Sequence, residues 1–82
     1  MHMTLAADFA GTWYFRGDRK VPCYIRLRGA TLEITDEERN TYPVRTEGTD
    51  VIIVQVPWRG MKGELSTDKR RIAWNNGEIW ER

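Results

Sequence analysis

Apolar and polar residues alternate along most of this chain with a period of two, the repeat of a half-buried β-strand and not of a helix. The run that starts at Gly11 sets Gly11, Trp13 and Phe15 on one face against Thr12, Tyr14 and Arg16. The next sets Val21, Cys23, Ile25 and Leu27 against Tyr24, Arg26 and Arg28. Leu32 and Ile34 then alternate with Thr31, Glu33 and Thr35, and Tyr42 and Val44 with Pro43 and Arg45. A proline inside such a run suits a sheet edge or a bulge, because it has no N–H for the ladder. Residues 51–58 are apolar on both faces; Ile52, Val54, Val56 and Trp58 are assigned inward, and Val51, Ile53 and Gln55 outward. Met61, Gly63 and Leu65 alternate with Lys62 and Glu64, and residues 70–82 supply the last two strands.

Short turn signals such as "RGDRK", "DEERN", "STDK" and "NNG" separate these runs. Short connections join antiparallel neighbours. Only "LAADFA" offers a turn of helix, so residues 1–8 are read as mobile or as a short helical turn. The pattern predicts an all-β domain: an antiparallel up-and-down meander of about eight short strands. An open meander has two unpaired borders, and closing it into a barrel removes both. The closed barrel is therefore expected, with a strongly bent open sheet or a small sandwich as alternatives.

The closing hairpin tests the pattern most sharply. If Asn76-Gly77 forms a two-residue turn, Trp74 opposes Ile79, and Arg71 faces Arg82 across the strands. If Asn75-Asn76-Gly77 forms a three-residue loop with Gly77 left-handed, Arg71 opposes Glu81, Ile72 opposes Trp80 and Ala73 opposes Ile79. The second register is preferred. It puts Ile72, Trp74, Trp80 and Arg82 on one face, whereas a slip sends a tryptophan into water.

Composition narrows the picture further. The 82 residues make a single domain, 1–82, of ordinary globular composition, with 40% hydrophobic and 30% charged residues. A chain this short has a marginal core, and its aromatic residues (11%) supply much buried area each. The net charge of +1 gives no global field for steering onto nucleic acid or anionic lipid. Cys23 is the sole cysteine, so no internal disulfide can form. No apolar run approaches the roughly 20 residues of a membrane helix, and the first residues lack a signal-peptide pattern. No membrane association and a cytoplasmic location are expected.

The segment "DFAGTWYFRG", Asp8 to Gly17, resembles the opening of the lipocalins and the wider calycin group. In that group a helical turn precedes a Gly-x-Trp on the first strand, here matched by Gly11 and Trp13. The resemblance implies a β-barrel in which an arginine from the last strand packs across that tryptophan; Arg82 is the matching candidate. The chain is shorter than a lipocalin, and the second lipocalin motif, Thr-Asp-Tyr, has only a partial echo in Thr67-Asp68-Lys69. Shorter strands imply a shallower interior than the ligand cavity of that family.

The usual catalytic partners are missing. His2 is the single histidine and Ser66 the single serine, and no glycine-rich phosphate loop or zinc-ligand spacing occurs. No enzymatic activity, cofactor or metal is expected. The leading expectation is a non-catalytic binding module that holds a small apolar or aromatic ligand at one barrel mouth, through Trp58, Trp74, Trp80 and Arg82. The competing expectation is a protein-interaction domain or homodimer that uses an outer strip of Val51 and Ile53. A weaker one is single-stranded nucleic-acid binding on the outer face of Tyr14, Arg16, Tyr24, Arg26 and Arg28. Cys23 reads as a buried, inert thiol, and the acidic run Asp36 to Arg39 as a solvated turn or an attraction for a cation.

Overall fold

In a computed structural model, residues 6–29, 31–47, 51–54 and 61–82 are described. A single helical turn, α1 (Ala6–Phe9), leads into β1 (Gly11–Phe15), β2 (Pro22–Arg28), β3 (Thr31–Thr35) and β4 (Thr41–Glu47). The second half supplies β5 (Val51–Val54), β6 (Met61–Leu65), β7 (Arg71–Trp74) and β8 (Ile79–Glu81). Each strand pairs antiparallel with the next in sequence, as short connections require. The continuation of β5 toward Trp58 lies outside the described residues.

Alternation sets the faces. Trp13, Cys23, Ile25, Leu32, Ile34, Val44, Ile52, Leu65, Ile72, Trp74 and Trp80 are all buried on the inner side. Phe9 of α1 is fully buried and joins them. Several positions depart from the sequence expectation: Thr35, assigned outward, is buried, and Gly11, assigned inward, is exposed. Leu27, expected inward, is 50% exposed. It lies in the last rungs of the β2–β3 ladder, beside Arg28↔Thr31 and the Gly29 turn, where the curled sheet runs out of neighbours. Pro43 sits in a strand flanked on both sides, not at a sheet edge. It comes before Val44–Glu47, the part of β4 registered with β5, so no rung described there needs its N–H.

The closing hairpin has the three-residue loop. Arg71 pairs with Glu81, Ile72 with Trp80 and Ala73 with Ile79. The Trp74 amide donates to the Glu78 carbonyl, and the Gly77 amide to the Trp74 carbonyl. Gly77 has a φ of 96°, in the region a side chain resists. Gly63 meets a different need, close approach. A Cβ there would lie 2.7 Å from Cγ2 of Ile72 and 2.9 Å from Cε3 and Cζ3 of Trp74, so the indole rests directly on the β6 backbone.

The closed barrel expected from the alternation needs correction. The two borders of the curled sheet do meet: Tyr14 pairs with Glu81 and Phe15 with Trp80, and the Arg16 amide reaches the Ile79 carbonyl at 2.7 Å. That seam holds two register pairs, against five between β2 and β3. Because β8 ends at Glu81, Gly11, Thr12 and Trp13 have no counterpart on it, and the sheet stands open along that half of β1. Arg82 bridges the gap with its side chain instead of a ladder. Its guanidinium donates through Nη1 to the Ala10 carbonyl (3.1 Å), through Nη2 to that of Asp8 (2.6 Å), and through Nε to that of Lys69 (2.8 Å).

Candidate functional site

The strand directions give the sheet two distinct ends. At the lower end lie α1, Gly29, the Ser66–Arg70 connection and Arg82. At the upper end lie the turns Arg16–Val21, Asp36–Asn40 and Asn75–Glu78.

Arg82 and Trp13 seal the lower end. The Arg82 guanidinium lies 4.0 Å from the Trp13 ring centroid, and Nε1 of Trp13 donates to the Phe9 carbonyl at 2.8 Å. This is the contact that the resemblance implied. Partial burial lowers the Arg82 pKa, a shift that Asp8 opposes and Arg70 reinforces. Three of the five guanidinium N–H groups, and the Trp13 N–H, are spent on internal contacts.

The upper end is different. A cleft of about 40 Å³ opens there between Phe15, Ile34, Met61, Trp74 and Trp80. Its polar rim is Glu37, Asn76 and Glu78. Trp74 and Trp80 meet edge to face, with ring centroids 5.0 Å apart and planes at 64°. Trp74 is 5% exposed, and its enclosed Nε1 has no hydrogen-bond partner among the described residues. The ring approaches the Gly63 backbone through Cε3 and Cζ3.

Glu37 reaches this rim from a tight turn. Asp36 continues the inward series of Leu32 and Ile34 and is 1% exposed. Its Oδ1 accepts the amides of Glu38 and Asn40, each at 2.9 Å, and this locks the turn. Its Oδ2 has no hydrogen-bond partner among the described residues. Glu37, next in the chain, is half-buried. Desolvation raises its pKa, helped by the like charges of Asp36, Glu38 and Glu78 and opposed by a backbone hydrogen bond. The acidic run is thus not a solvated turn throughout: Asp36 is buried and Glu37 is half-buried.

The second rim carboxylate is neutralised. Glu78 accepts from Arg16 Nε at 2.7 Å and Nη2 at 2.8 Å, and that hydrogen bonding holds its pKa down. Arg16 also lies 5.0 Å over the Phe15 ring. Cys23, below the rim, has its thiol pushed up to about 12 by burial, with Glu37 and Asp36 adding to the shift.

Of the residues expected to form one ligand site, Trp74 and Trp80 line the upper cleft together, while Arg82 belongs to the lower end. Trp58 lies outside the described residues. Phe15, Ile34, Glu37, Met61, Asn76 and Glu78 were not foreseen as lining; the available signal for Glu37 was the inward series running on into Asp36. For the expected interface strip, the register places Ile53 between Arg45 and Lys62, and Val51 between Glu47 and Glu64. Their side chains lie outside what is described. On the outer basic face, Arg19 lies 4.9 Å over Tyr14, Arg26 lies 5.2 Å over Tyr24, and Arg28 pairs with Glu33. Each of the two rings that nucleic-acid stacking would use thus has one of the chain's own arginines over one face.

Among the described residues, no group of three or more His, Cys, Asp or Glu side chains could hold a metal ion, and no helix is long and apolar enough to cross a membrane. Comparison with known proteins found no match: no family model, no curated protein and no solved structure resembles the chain closely enough to place it.

Proposed function

We propose that this small all-β domain is a non-catalytic binding module that receives a small apolar or aromatic group at its upper mouth. The observation that carries the reading is an apolar cleft at the upper mouth walled by Phe15, Trp74 and Trp80. The cleft holds roughly three water molecules' worth of space, far below the several hundred cubic ångströms of a pocket that engulfs a drug-sized ligand. The ligand therefore inserts one end and leaves the rest outside. A calycin-like arrangement supports the same reading, with Gly11-x-Trp13 on the first strand, Arg82 packed over Trp13 and one end left open.

Tryptophan fluorescence tests it. Titration with a panel of small apolar and aromatic probes should give a saturable change that is lost on Met61→Lys, a substitution that puts a charge into the cleft wall. Val51→Lys combined with Ile53→Lys should leave the response intact. No saturable change from any probe overturns the reading.

A further inference from the structure

Three neighbouring strands carry a charge pattern that reverses between one outer rung and the next. The register sets Arg45, Ile53 and Lys62 side by side on β4, β5 and β6, and Glu47, Val51 and Glu64 side by side two residues further along. Arg45, Glu47, Lys62 and Glu64 are exposed, while Ile52 and Gly63 between the rungs are buried. Opposite residues of a ladder share a face, and so do alternate residues of a strand, so all six positions belong to the outer face. Ile53 is thus flanked by two cations and Val51 by two anions. Among the described residues these four charges make one ion pair, Lys62 with Glu47 at 3.6 Å, and both partners are more than half exposed. Such a pair contributes little and is readily exchanged for another.

The arrangement is complementary to itself. A two-fold axis lying in the contact plane, across the strands and midway between the rungs, turns the cationic rung of one copy onto the anionic rung of a second. Arg45 then faces Glu47 of the second copy, Lys62 faces its Glu64 and Ile53 its Val51, each contact occurring twice. A two-fold axis along β5 would instead set Arg45 against Lys62 and Glu47 against Glu64, like against like. We propose that the outer face of β4, β5 and β6 is where two copies of this chain meet, apolar at the centre and paired by charge across the first of these axes. The outer face of a curled sheet is convex, so the contact is smaller than the roughly 800 Å² per partner of a stable complex, and the dimer is weak and concentration-dependent. None of the six residues lines the upper cleft, so the two surfaces are independent.

Sedimentation equilibrium of the full chain tests this, from about 10 μM to about 1 mM at low salt. The mass is expected to rise with concentration, and added salt to weaken the rise. Lys62→Glu and Glu64→Lys each put like charges on both β6 contacts and should weaken self-association about tenfold or more. An equimolar mixture of these two variants should associate as the wild type does, because position 62 of each then meets position 64 of the other with opposite sign. The double variant, Lys62→Glu with Glu64→Lys, should also recover. A thermal melt of each variant confirms that it is folded. The mass of a single chain at every concentration overturns the inference and leaves the face to a different partner. Self-association that the single variants do not weaken, or that mixing does not restore, overturns it as well.

Discussion

The guanidinium of Arg82 stacks 4.0 Å from the ring centroid of Trp13 and, from the same plane, donates to the carbonyls of Asp8, Ala10 and Lys69. One side chain thereby ties α1, β1 and the Ser66–Arg70 connection together where β1 has lost its ladder partner. A guanidinium suits this task because it is planar, and its fixed fork of donors can serve several acceptors while its face stays on an indole.

Replacing Arg82 with alanine should therefore cost more than a typical surface truncation. It removes three charge-assisted hydrogen bonds and a cation–π contact and leaves part of the Trp13 face uncovered. The expected loss is about 2–4 kcal/mol in urea unfolding. Arg82→Lys should recover less than half of that, because an ammonium cannot reproduce the fork. Recovery to wild-type stability by lysine would mean that the charge alone matters.

Gly63 is the second position where a small change has a large reach. The indole of Trp74 rests on its backbone, so Gly63→Ala forces either the ring or β6 to move. Overpacking of this kind costs about 1–3 kcal/mol. Because the displaced ring also lines the cleft, the emission maximum of the folded state should shift along with the midpoint of unfolding. A fall in stability with an unchanged spectrum would place the adjustment in the backbone alone.

The two ends of the molecule were not equally legible in the sequence. The hairpin of β7 and β8 could be read because every local signal agreed: Gly77 at the left-handed position, Arg71 opposite Glu81, and both tryptophans kept out of water. Alternation also put Trp74, Trp80 and Arg82 on one face. Height along that face is another matter. It depends on the summed register around eight strands, and this separates Arg82 from the cleft that Trp74 and Trp80 line. The seam fell short for a similar reason. Strand count and the cost of bare edges argue for closure, but the lengths of β1 and β8 and their relative stagger fix how much of it can form. Glu37 was hidden by composition: the polar run from Thr35 to Thr41 reads as a solvated turn until the burial of Asp36 is known.

Glu37 also predicts a pH dependence. Its pKa in the folded state is raised, so the folded protein favours the protonated form. The stability this group contributes is present in full below the ordinary glutamate range and is lost as pH rises through the raised value. At neutral pH the ionised carboxylate is therefore a burden on the unliganded domain. Glu37→Gln should melt higher than the wild type at pH 7, and the gap should shrink to nothing as the pH is lowered toward about 4. The comparison is made by thermal unfolding across that range. A gap that widens on acidification would contradict the stated direction.

Cys23 provides the last test, and it probes how tightly the ring of strands excludes solvent. The side chain is fully buried opposite Trp13, and its thiol is pushed up to about 12, first by desolvation and then by Glu37 and Asp36. Thiol chemistry runs through the thiolate, which at pH 8 is then present at roughly one part in ten thousand, against about a quarter for a free cysteine. In the native protein, a disulfide-exchange reagent should react only as fast as the sheet opens, and the rate should follow stability across the Arg82 and Gly63 variants. In urea the same thiol should react at the rate of a small peptide. If opening occurs mainly at the short β1–β8 seam, Arg82→Ala should speed labelling more than Gly63→Ala at matched stability, because Arg82 bridges the half of β1 that β8 leaves unpaired.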